Sequence, residues 1–214
     1  MVGSSMEERI ALILLAAGKS TRFPGNKLLA NVCGMSLIER ILRTTLRSSV
    51  DVIVVVLGHE AEKLREIIEK IKDNRVKIVY NLDYELGQSS SVKKGLKEVA
   101  EFVDAVMILP ADVSFIKPED IDSLIETFKI TKKDIVVASH KGKHGHPILF
   151  SKKLFKDIMM ITEEKRGLKE VVEKNLEEIV EVELSPYTVI DIDTPEDLEK
   201  VIGIVKRDAL TYCD

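Results

Sequence analysis

The sequence is poor in cysteine and has no surplus of basic charge, and each shortage excludes a class of function. Cys33 and Cys213 are the only cysteines among 214 residues. Two isolated cysteines make neither a metal-spaced pair nor a disulfide framework, which favours the reducing cytoplasm as the location. Lysine and arginine total 32 against 36 aspartates and glutamates, for a net charge of −4. Because this balance leaves no basic footprint, we expect no nucleic-acid partner.

Long apolar runs are also missing. The first apolar run, at residues 10–15, is too short to span a membrane, and Glu7 and Glu8 precede it in place of a basic segment. We therefore expect neither a membrane partner nor a signal peptide. The length and the hydrophobic fraction of 45% suit one large α/β domain, which we assign to residues 10–214, after an N-terminal extension over residues 1–9.

What the sequence does contain is a regular alternation of short apolar runs and amphipathic stripes. Strands are predicted where apolar residues cluster, at 10–15, 52–57, 76–80, 105–109, 135–139, 146–150, 179–184 and 188–192. Helices are predicted where apolar residues recur every three or four positions, at 37–42, 64–71, 92–99, 121–128 and 198–205. Pro118 and Pro195 suit first helical positions, and Thr194 with Asp197 resembles a capping box. The alternation predicts one three-layer α/β/α Rossmann-like domain with a mainly parallel, mixed sheet.

In such a sheet ligands bind beyond the carboxyl ends of the strands, so the segment after the first strand is the leading candidate. It carries Gly18, Arg22, Gly25 and Lys27. Glycines expose backbone N–H groups and cations neutralise phosphate oxygens, which favours a polyphosphate ligand. The six residues between the glycines exclude a Walker A loop, and the chain has no G-x-G for a dinucleotide fingerprint, which disfavours a dehydrogenase.

Carboxylates follow two other predicted strands. Asp112 comes just after the strand at 105–109, and Asp191 and Asp193 accompany the last strand, where alternation places both on the same face. Mg²⁺ prefers oxygen ligands, usually one or two carboxylates together with substrate phosphates. Each carboxylate also has an ordinary interpretation, as a turn residue or as a favourable charge at a helix N-terminus. The residues alone leave both interpretations open.

A polar segment at residues 87–91 precedes a predicted helix. Gln88, Ser89 and Ser90 offer donors and acceptors that suit a base edge or a ribose. The serines could equally cap the helix. Both roles are compatible, because a helix N-terminus is also an anion-binding site.

Three histidines lie close together in sequence. His140, His144 and His146 raise the possibility of zinc, but the chain has no H-E-x-x-H motif and no cysteine near them. A loop that shapes a second substrate site is the favoured interpretation.

Taken in order, these segments resemble the molybdenum cofactor cytidylyltransferases within the MobA-like NTP transferases. The matching segments are 15–23, which reads L-A-A-G-K-S-T-R-F, then Lys27, 87–96, Asp112, 145–147 and 191–198. Within the group, Ala17 and the G-H-P element at 145–147 resemble the cytidylyl branch, since the guanylyl branch usually has L-A-G-G.

The resemblance implies a nucleotide-diphospho-sugar-transferase-like fold and a Mg²⁺-dependent nucleotidyltransferase. It would move CMP from CTP to the phosphate of molybdopterin or the molybdenum cofactor and release pyrophosphate. The implied catalytic residues are Arg22, Lys27 and Asp112. The implied nucleotide-binding residues are Leu15, Ala16, Ala17, Gly18, Ser20, Arg22, Lys27, Gln88, Ser89 and Ser90. The implied metal ligands are Asp112 and Asp193, with Asp191 as a nearby candidate. The implied acceptor-binding residues are Gly145, His146 and Pro147.

The chain departs from the family pattern in three places. Pro24-Gly25 shifts the glycine of the first loop by one, Val113-Ser114 replaces a proline that follows the metal-binding aspartate, and residues 162–168 replace a G-D-x-G-x-R segment. The acceptor is therefore less constrained than the nucleotide. A GTP-using guanylyltransferase, a sugar- or lipid-phosphate nucleotidyltransferase and a non-catalytic accessory of a molybdoenzyme partner remain alternatives.

Overall fold

A seven-stranded sheet organises the computed structural model, which describes residues 8–207. The strands in chain order are β1 (Ile10–Ala16), β2 (Asn31–Val32), β3 (Met35–Ser36), β4 (Val52–Leu57), β5 (Val76–Tyr80), β6 (Ala105–Pro110), β7 (Ile135–His140), β8 (Lys143–Ser151) and β9 (Ile179–Glu183). The helices are α1 (Leu37–Leu46), α2 (Ala61–Ile68), α3 (Gln88–Lys97), α4 (Pro118–Thr131), α5 (Phe155–Met159), α6 (Leu168–Lys174) and α7 (Pro195–Arg207).

The order of strands across the sheet is β5-β4-β1-β6-β8-β7-β9. Strands β5, β4, β1 and β6 are parallel neighbours, and β9 pairs in parallel with β7. Strand β8 runs antiparallel between β6 and β7. It follows β7 through a two-residue turn in which Lys141 (φ 50°) and Gly142 (φ 73°) both have left-handed backbone, the conformation that tight hairpins need. The mainly parallel, mixed sheet predicted from the sequence is confirmed.

Successive side chains of the central strands point to opposite faces of the sheet, where they pack into two hydrophobic cores. In β1, Ile10, Leu12 and Leu14 belong to one core, while Ala11 and Ile13 belong to the other. Helices α1, α2, α4 and α7 cover the first core, and α3, α5 and α6 cover the second. Because both faces of β1 are buried, the strand is apolar along its whole length. The three-layer α/β/α arrangement is confirmed.

Seven of the eight predicted strands are present, and the strand predicted at 188–192 is wrong. Residues Pro186–Val189 form a 3-10 turn instead, in which the Thr188 hydroxyl donates to the carbonyl of Ser185 at 2.8 Å. The side chain of Tyr187 is buried in the first core. Neighbouring strand β8 already pairs with β6 and β7 along its two edges, so this segment has no free strand edge there to join.

Helix starts were predicted better than helix ends. Helices α4 and α7 begin at Pro118 and Pro195. The Thr194–Asp197 capping box forms, because Thr194 donates its N–H to the Asp197 carboxylate at 3.0 Å and its hydroxyl oxygen accepts the N–H of Asp197 at 3.2 Å. The predicted stripes at 64–71 and 92–99 run a few residues past the ends of α2 and α3.

The interpretation of the cysteines stays a prediction, because Cys213 lies outside the described residues. Most of the proposed extension over 1–9 lies outside them too, so the domain boundary and the cytoplasmic location stay predictions. Within residues 8–207, each helix is too short or too polar to cross a membrane.

Candidate functional site

Two neighbouring hollows open at the edge of the sheet where the parallel strands end. The first, the β1 cleft, has a volume of about 310 Å³ and is lined by the loop after β1, residues 84–88, and the ends of the segments carrying Asp112 and Asp193. The second, the β8 cavity, measures about 480 Å³ and lies between the start of α3, the start of β8 and the chain from 161 to 176. Gln88 lines both.

The β1 cleft brings together most of the residues predicted to bind nucleotide or metal. The predicted residues that line it are Leu15, Ala17, Gly18, Ser20, Arg22, Lys27, Gln88, Asp112 and Asp193. Ala16 is a buried residue of β1, and Ser89 lines the β8 cavity instead. Ser90 is held in a network under the start of α3, where its hydroxyl donates to the Gly87 carbonyl at 2.7 Å.

Lys27 is the electrostatic centre of the β1 cleft. Its Nζ donates to Asp112 Oδ2 at 2.6 Å and to Asp193 Oδ1 at 2.9 Å, and Arg22 Nη2 lies 2.7 Å from Asp193 Oδ2. Only 12% of the Lys27 side chain is exposed. Burial alone would lower the pKa of Lys27, but the Asp112 and Asp193 carboxylates outweigh it and raise the pKa above its ordinary value. The ammonium is therefore charged at neutral pH.

One carboxylate oxygen of Asp112 makes no hydrogen bond to the described residues. This atom, Oδ1, is buried. The carbonyl of Asp112 accepts the N–H of Ile192 at 3.2 Å, which joins the end of β6 to the segment that carries Asp193. Carboxylate oxygens of this kind suit a hard divalent cation. In the described part of the chain, no group of three or more His, Cys, Asp or Glu side chains is arranged to hold a metal, so a cation here would depend on oxygens from a ligand as well.

Asp191 and Asp193 follow the 3-10 turn at Pro186–Val189 and not the strand on which their predicted shared face depended. The missing strand at 188–192 removes the reason for the alternation. Asp193 lines the β1 cleft, and Asp191 does not. The nearby His146 side chain acts to lower the pKa of Asp191, but other effects outweigh it. Although much of the residue's surface is exposed, the protein atoms crowded around the Asp191 carboxyl raise its pKa, and the negative charge of Asp112 adds to the effect.

The start of α3 is held by contacts that the sequence did not reveal. The buried amide of Asn81 donates to the hydroxyls of Ser90 and Ser91 at 2.8 and 2.9 Å. The helix cap is not a serine: the carboxylate of Glu163, from the chain between α5 and α6, accepts the N–H of Ser89 at 2.6 Å. A contact across 74 positions has no local sequence signal.

Gly145 and His146, predicted to bind an acceptor, line the β8 cavity. A Cβ atom on Gly145 would overlap the carbonyl oxygen of Thr188, so the close packing here requires glycine. Nδ1 of His146 is buried without a partner among residues 8–207. Burial lowers the pKa of His146, and nearby Asp191 and Asp112 oppose this only in part. The imidazole is therefore neutral at pH 7, and Pro147 follows it through a cis peptide bond.

The other two histidines of the predicted cluster have partners of their own. Nδ1 of His140 is 2.8 Å from the carbonyl oxygen of Leu184, and Nε2 of His144 is 2.7 Å from the Glu181 carboxylate. His140 and His144 thus each contact a different protein oxygen, and Nδ1 of His146 contacts neither of them.

A family model described as the MobA-like NTP transferase domain matches residues 12–179. The probable molybdenum cofactor guanylyltransferase of Methanosarcina mazei is 26% identical over 207 residues, which cover 91% of this chain and 91% of the relative. The bifunctional protein GlmU of Staphylococcus epidermidis is 29% identical over 130 residues, or 59% of this chain. The match spans only 28% of that longer relative.

Solved structures share the fold. A nucleotidyl transferase from Methanothermobacter thermautotroptrophicus has a TM-score of 0.80 at 19% identity, with coverage of 94% of this chain and 100% of the other. A protein from Mycobacterium tuberculosis H37Rv, solved in complex with manganese, has a TM-score of 0.75 at 20% identity, with coverage of 90% and 97%. These likenesses confirm the fold that the resemblance implied.

Proposed function

The chain belongs to the MobA-like NTP transferase family and is a nucleotidyltransferase, and from this premise we propose that it transfers CMP from CTP to the phosphate of molybdopterin. The observation that carries the proposal is the partly buried Lys27 ammonium, held between Asp112 and Asp193 in a cleft at the ends of parallel strands. The name of the Methanosarcina mazei relative supports the molybdenum cofactor as the product class. The product would serve a molybdoenzyme partner.

The reaction is a displacement at phosphorus. An oxygen of the acceptor phosphate attacks the α-phosphorus of CTP, a new P–O bond forms, the bond between the α-phosphorus and the bridging oxygen breaks, and pyrophosphate leaves. A phosphomonoester is largely ionised near neutral pH, so the attack needs no general base. The protein's contribution is positioning and charge neutralisation. Arg22 and Lys27 would neutralise the triphosphate and the departing pyrophosphate.

Asp112 and Asp193 would hold the divalent cation, and Asp191 is a nearby candidate. The unpartnered Oδ1 of Asp112 supports this role, because a buried carboxylate oxygen without a partner is costly unless a ligand completes it. Mg²⁺, when bound, would neutralise triphosphate oxygens. Lys27 would then turn from the carboxylates to the phosphates, since its ammonium and the cation compete for the same two carboxylates.

The nucleoside would lie along Leu15, Ala17, Gly18, Ser20 and Gln88, with Ala16, Ser89 and Ser90 behind this surface. The acceptor would enter the β8 cavity, beside Gly145, His146 and Pro147. Ala17 in the L-A-A-G sequence favours CTP. The guanylyltransferase name of the Methanosarcina mazei relative favours GTP, which makes guanylyl transfer the second candidate.

Pyrophosphate release from each of the four NTPs, with molybdopterin and Mg²⁺, tests the proposal. We expect release with CTP that requires the acceptor, and no release with ATP or UTP. Parallel reactions with a sugar phosphate serve as the control for the acceptor. Preference for GTP would replace the cytidylyl assignment with the guanylyl one, and acceptor-dependent release only with the sugar phosphate would overturn the molybdopterin assignment.

A second experiment tests the cation site. Asp112→Asn keeps the shape of the side chain and removes its charge, so we expect the Mg²⁺ concentration needed for half-maximal activity to rise at least tenfold. Asp122→Asn, at a carboxylate that binds Ser49 far along the chain, is the matched control. An unchanged Mg²⁺ requirement in Asp112→Asn would exclude Asp112 as a ligand.

A further inference from the structure

The N-terminus of α3 lies between the two hollows. Gly87 precedes the helix and lines the β1 cleft, Gln88 lines both hollows, and Ser89 lines the β8 cavity. The first turn reads Gln-Ser-Ser and contains no acidic side chain. Free N–H groups and the helix dipole make such an end attractive to an anion. The anion found there is the carboxylate of Glu163, whose Oε1 accepts the N–H of Ser89 at 2.6 Å.

The same end of α3 holds a hydroxyl that the carboxylate leaves unsatisfied. Ser89 is only 4% exposed, and its Oγ has no hydrogen-bond partner anywhere in the described range. The Oγ atom faces the chain that carries Glu163, because a Cβ on Gly167 would lie 3.0 Å from it. Thr162, next to Glu163, also has a buried Oγ1 without a partner in residues 8–207. The Glu163 carboxylate therefore leaves the Ser89 hydroxyl at this helix end without a partner in the described residues.

A short turn brings Glu163 to this position. The Thr162 carbonyl accepts the N–H groups of Lys165 and Gly167 at 3.2 and 2.9 Å, so residues 162–167 close on themselves. Gly87 makes room for the contact, since a Cβ there would overlap the Glu163 side chain. The Glu163 carboxylate and a bond from Lys93 Nζ to the Ile161 carbonyl at 3.0 Å join this turn to α3.

The β8 cavity suits a ligand that combines a phosphate with an apolar body. Val92, Ile108, Ile148 and Leu168 give it apolar walls, and its polar lining residues include Ser89, Arg166 and Lys169. A phosphate has three terminal oxygens, so it could accept from both the N–H and the hydroxyl of Ser89 and retain a further acceptor. The carboxylate of Glu163 accepts the N–H of Ser89 but leaves the Ser89 hydroxyl without a hydrogen-bond partner in the described residues.

We propose that Glu163 occupies the site of a substrate phosphate at the N-terminus of α3, and that the phosphomonoester of the acceptor displaces it on entering the β8 cavity. This inference rests on the proposed function and assigns the place of the acceptor's phosphate within it. The acceptor rather than the nucleotide is the source, because Ser89 lines the β8 cavity and is absent from the lining of the β1 cleft. Glu163 then opposes binding through charge repulsion and is released as the phosphate arrives.

Binding of phenyl phosphate, measured by calorimetry on the full chain without nucleotide, tests the proposal. Glu163→Gln removes the competing charge, so we expect the affinity for phenyl phosphate to rise by about three- to tenfold, with CTP affinity unchanged. Ser89→Ala removes a donor and should lower the affinity for phenyl phosphate. Glu164→Gln, at the exposed neighbouring residue, is the matched control and should bind as the unmodified protein does.

Unchanged or weaker phenyl phosphate binding in Glu163→Gln would overturn the proposal and leave Glu163 as a helix cap. A gain in CTP affinity without a gain for phenyl phosphate would overturn the assignment to the acceptor. If Glu163→Gln folds poorly, the thermal shift caused by phenyl phosphate in Glu163→Asp replaces calorimetry, because the shorter side chain should compete less well and give the larger shift. A smaller shift would contradict the proposal. Neither measurement requires CMP transfer, so failure of the proposed function would be seen separately.

Discussion

The two hollows at the same edge of the sheet differ in the kind of polar atom that lacks a hydrogen-bond partner among the described residues. In the β1 cleft, Lys27 and Arg22 are paired with Asp112 and Asp193, and the atom left over is a carboxylate oxygen. Around the β8 cavity, the atoms left over include the hydroxyl of Ser89. An unpartnered acceptor attracts a cation, and an unpartnered hydroxyl can donate to an anion. The difference supports the proposals that one hollow binds a metal-bound triphosphate and the other binds an additional anionic group.

Normal turnover without Lys27 would contradict the role that this comparison gives to the β1 cleft. Lys27→Ala should lower kcat for pyrophosphate release by about 10²–10³-fold, because it removes a preorganised cation from the place where charge leaves. Lys19→Ala is the matched control: this lysine belongs to the same loop, but it is exposed and pairs with Glu85. Turnover by Lys27→Ala within threefold of the unmodified protein, with its thermal unfolding unchanged, would contradict the assigned role.

Replacing one glycine from each hollow by alanine tests how well each side of the site accepts an added methyl group, with the free energy of unfolding as the measure. Gly145→Ala should lower the free energy of unfolding by about 1–3 kcal/mol, since the new Cβ would overlap the Thr188 backbone, which cannot move as a side chain can. Gly18→Ala, beside the β1 cleft, meets no described atom within 4 Å and should change stability by less than about 0.5 kcal/mol. Urea unfolding of both variants decides this; equal stabilities would show that the β8 side is more adaptable than its packing suggests.

The smallest expected effect concerns Asp191, which lies within electrostatic reach of Asp112 and His146. Its pKa is raised by burial and by Asp112, so its contribution to stability is fully present below the unfolded pKa of about 3.9 and is lost as the pH rises through the folded pKa. Asp191→Asn should therefore be more stable than the unmodified protein at pH 7, by less than about 1 kcal/mol. The gain should shrink as the pH approaches 4. Urea midpoints across this range measure it, and a gain independent of pH would contradict the electrostatic cause.

The sequence predicted the β1 cleft better than the β8 cavity for a physical reason. Strands β1 and β6 are buried on both faces, so their apolar runs were unambiguous, and the ends of parallel strands meet at one edge. That rule predicted that Lys27 and Asp112 lie at this edge, and the family resemblance implied their roles. Their direct contact could not be predicted from the sequence.

The β8 side depends on contacts between distant segments. The strand predicted at 188–192 failed because apolar periodicity does not report whether a strand edge is free. Glu163 accepts an N–H at the start of α3 although it lies 74 positions away in the sequence. The Asn81 amide donates to two serine hydroxyls of the same helix. The available signal was indirect: α3 begins after Gly87 with no acid in its first turn, so its N–H groups had to be satisfied from elsewhere.

The antiparallel direction of β8 has a consequence for how the protein can change. Because β8 runs against its neighbours, its first residues lie where β6 and β7 end, and Gly145 and His146 reach the cavity from a hairpin rather than from a helical crossover. The tight turn at Lys141 and Gly142 therefore lies close in the chain to residues that line the β8 cavity. Hairpin turns tolerate added residues without a change of topology. Under the proposed function, grafting longer loops at this turn is a route to new acceptor specificity that leaves the β1 cleft untouched.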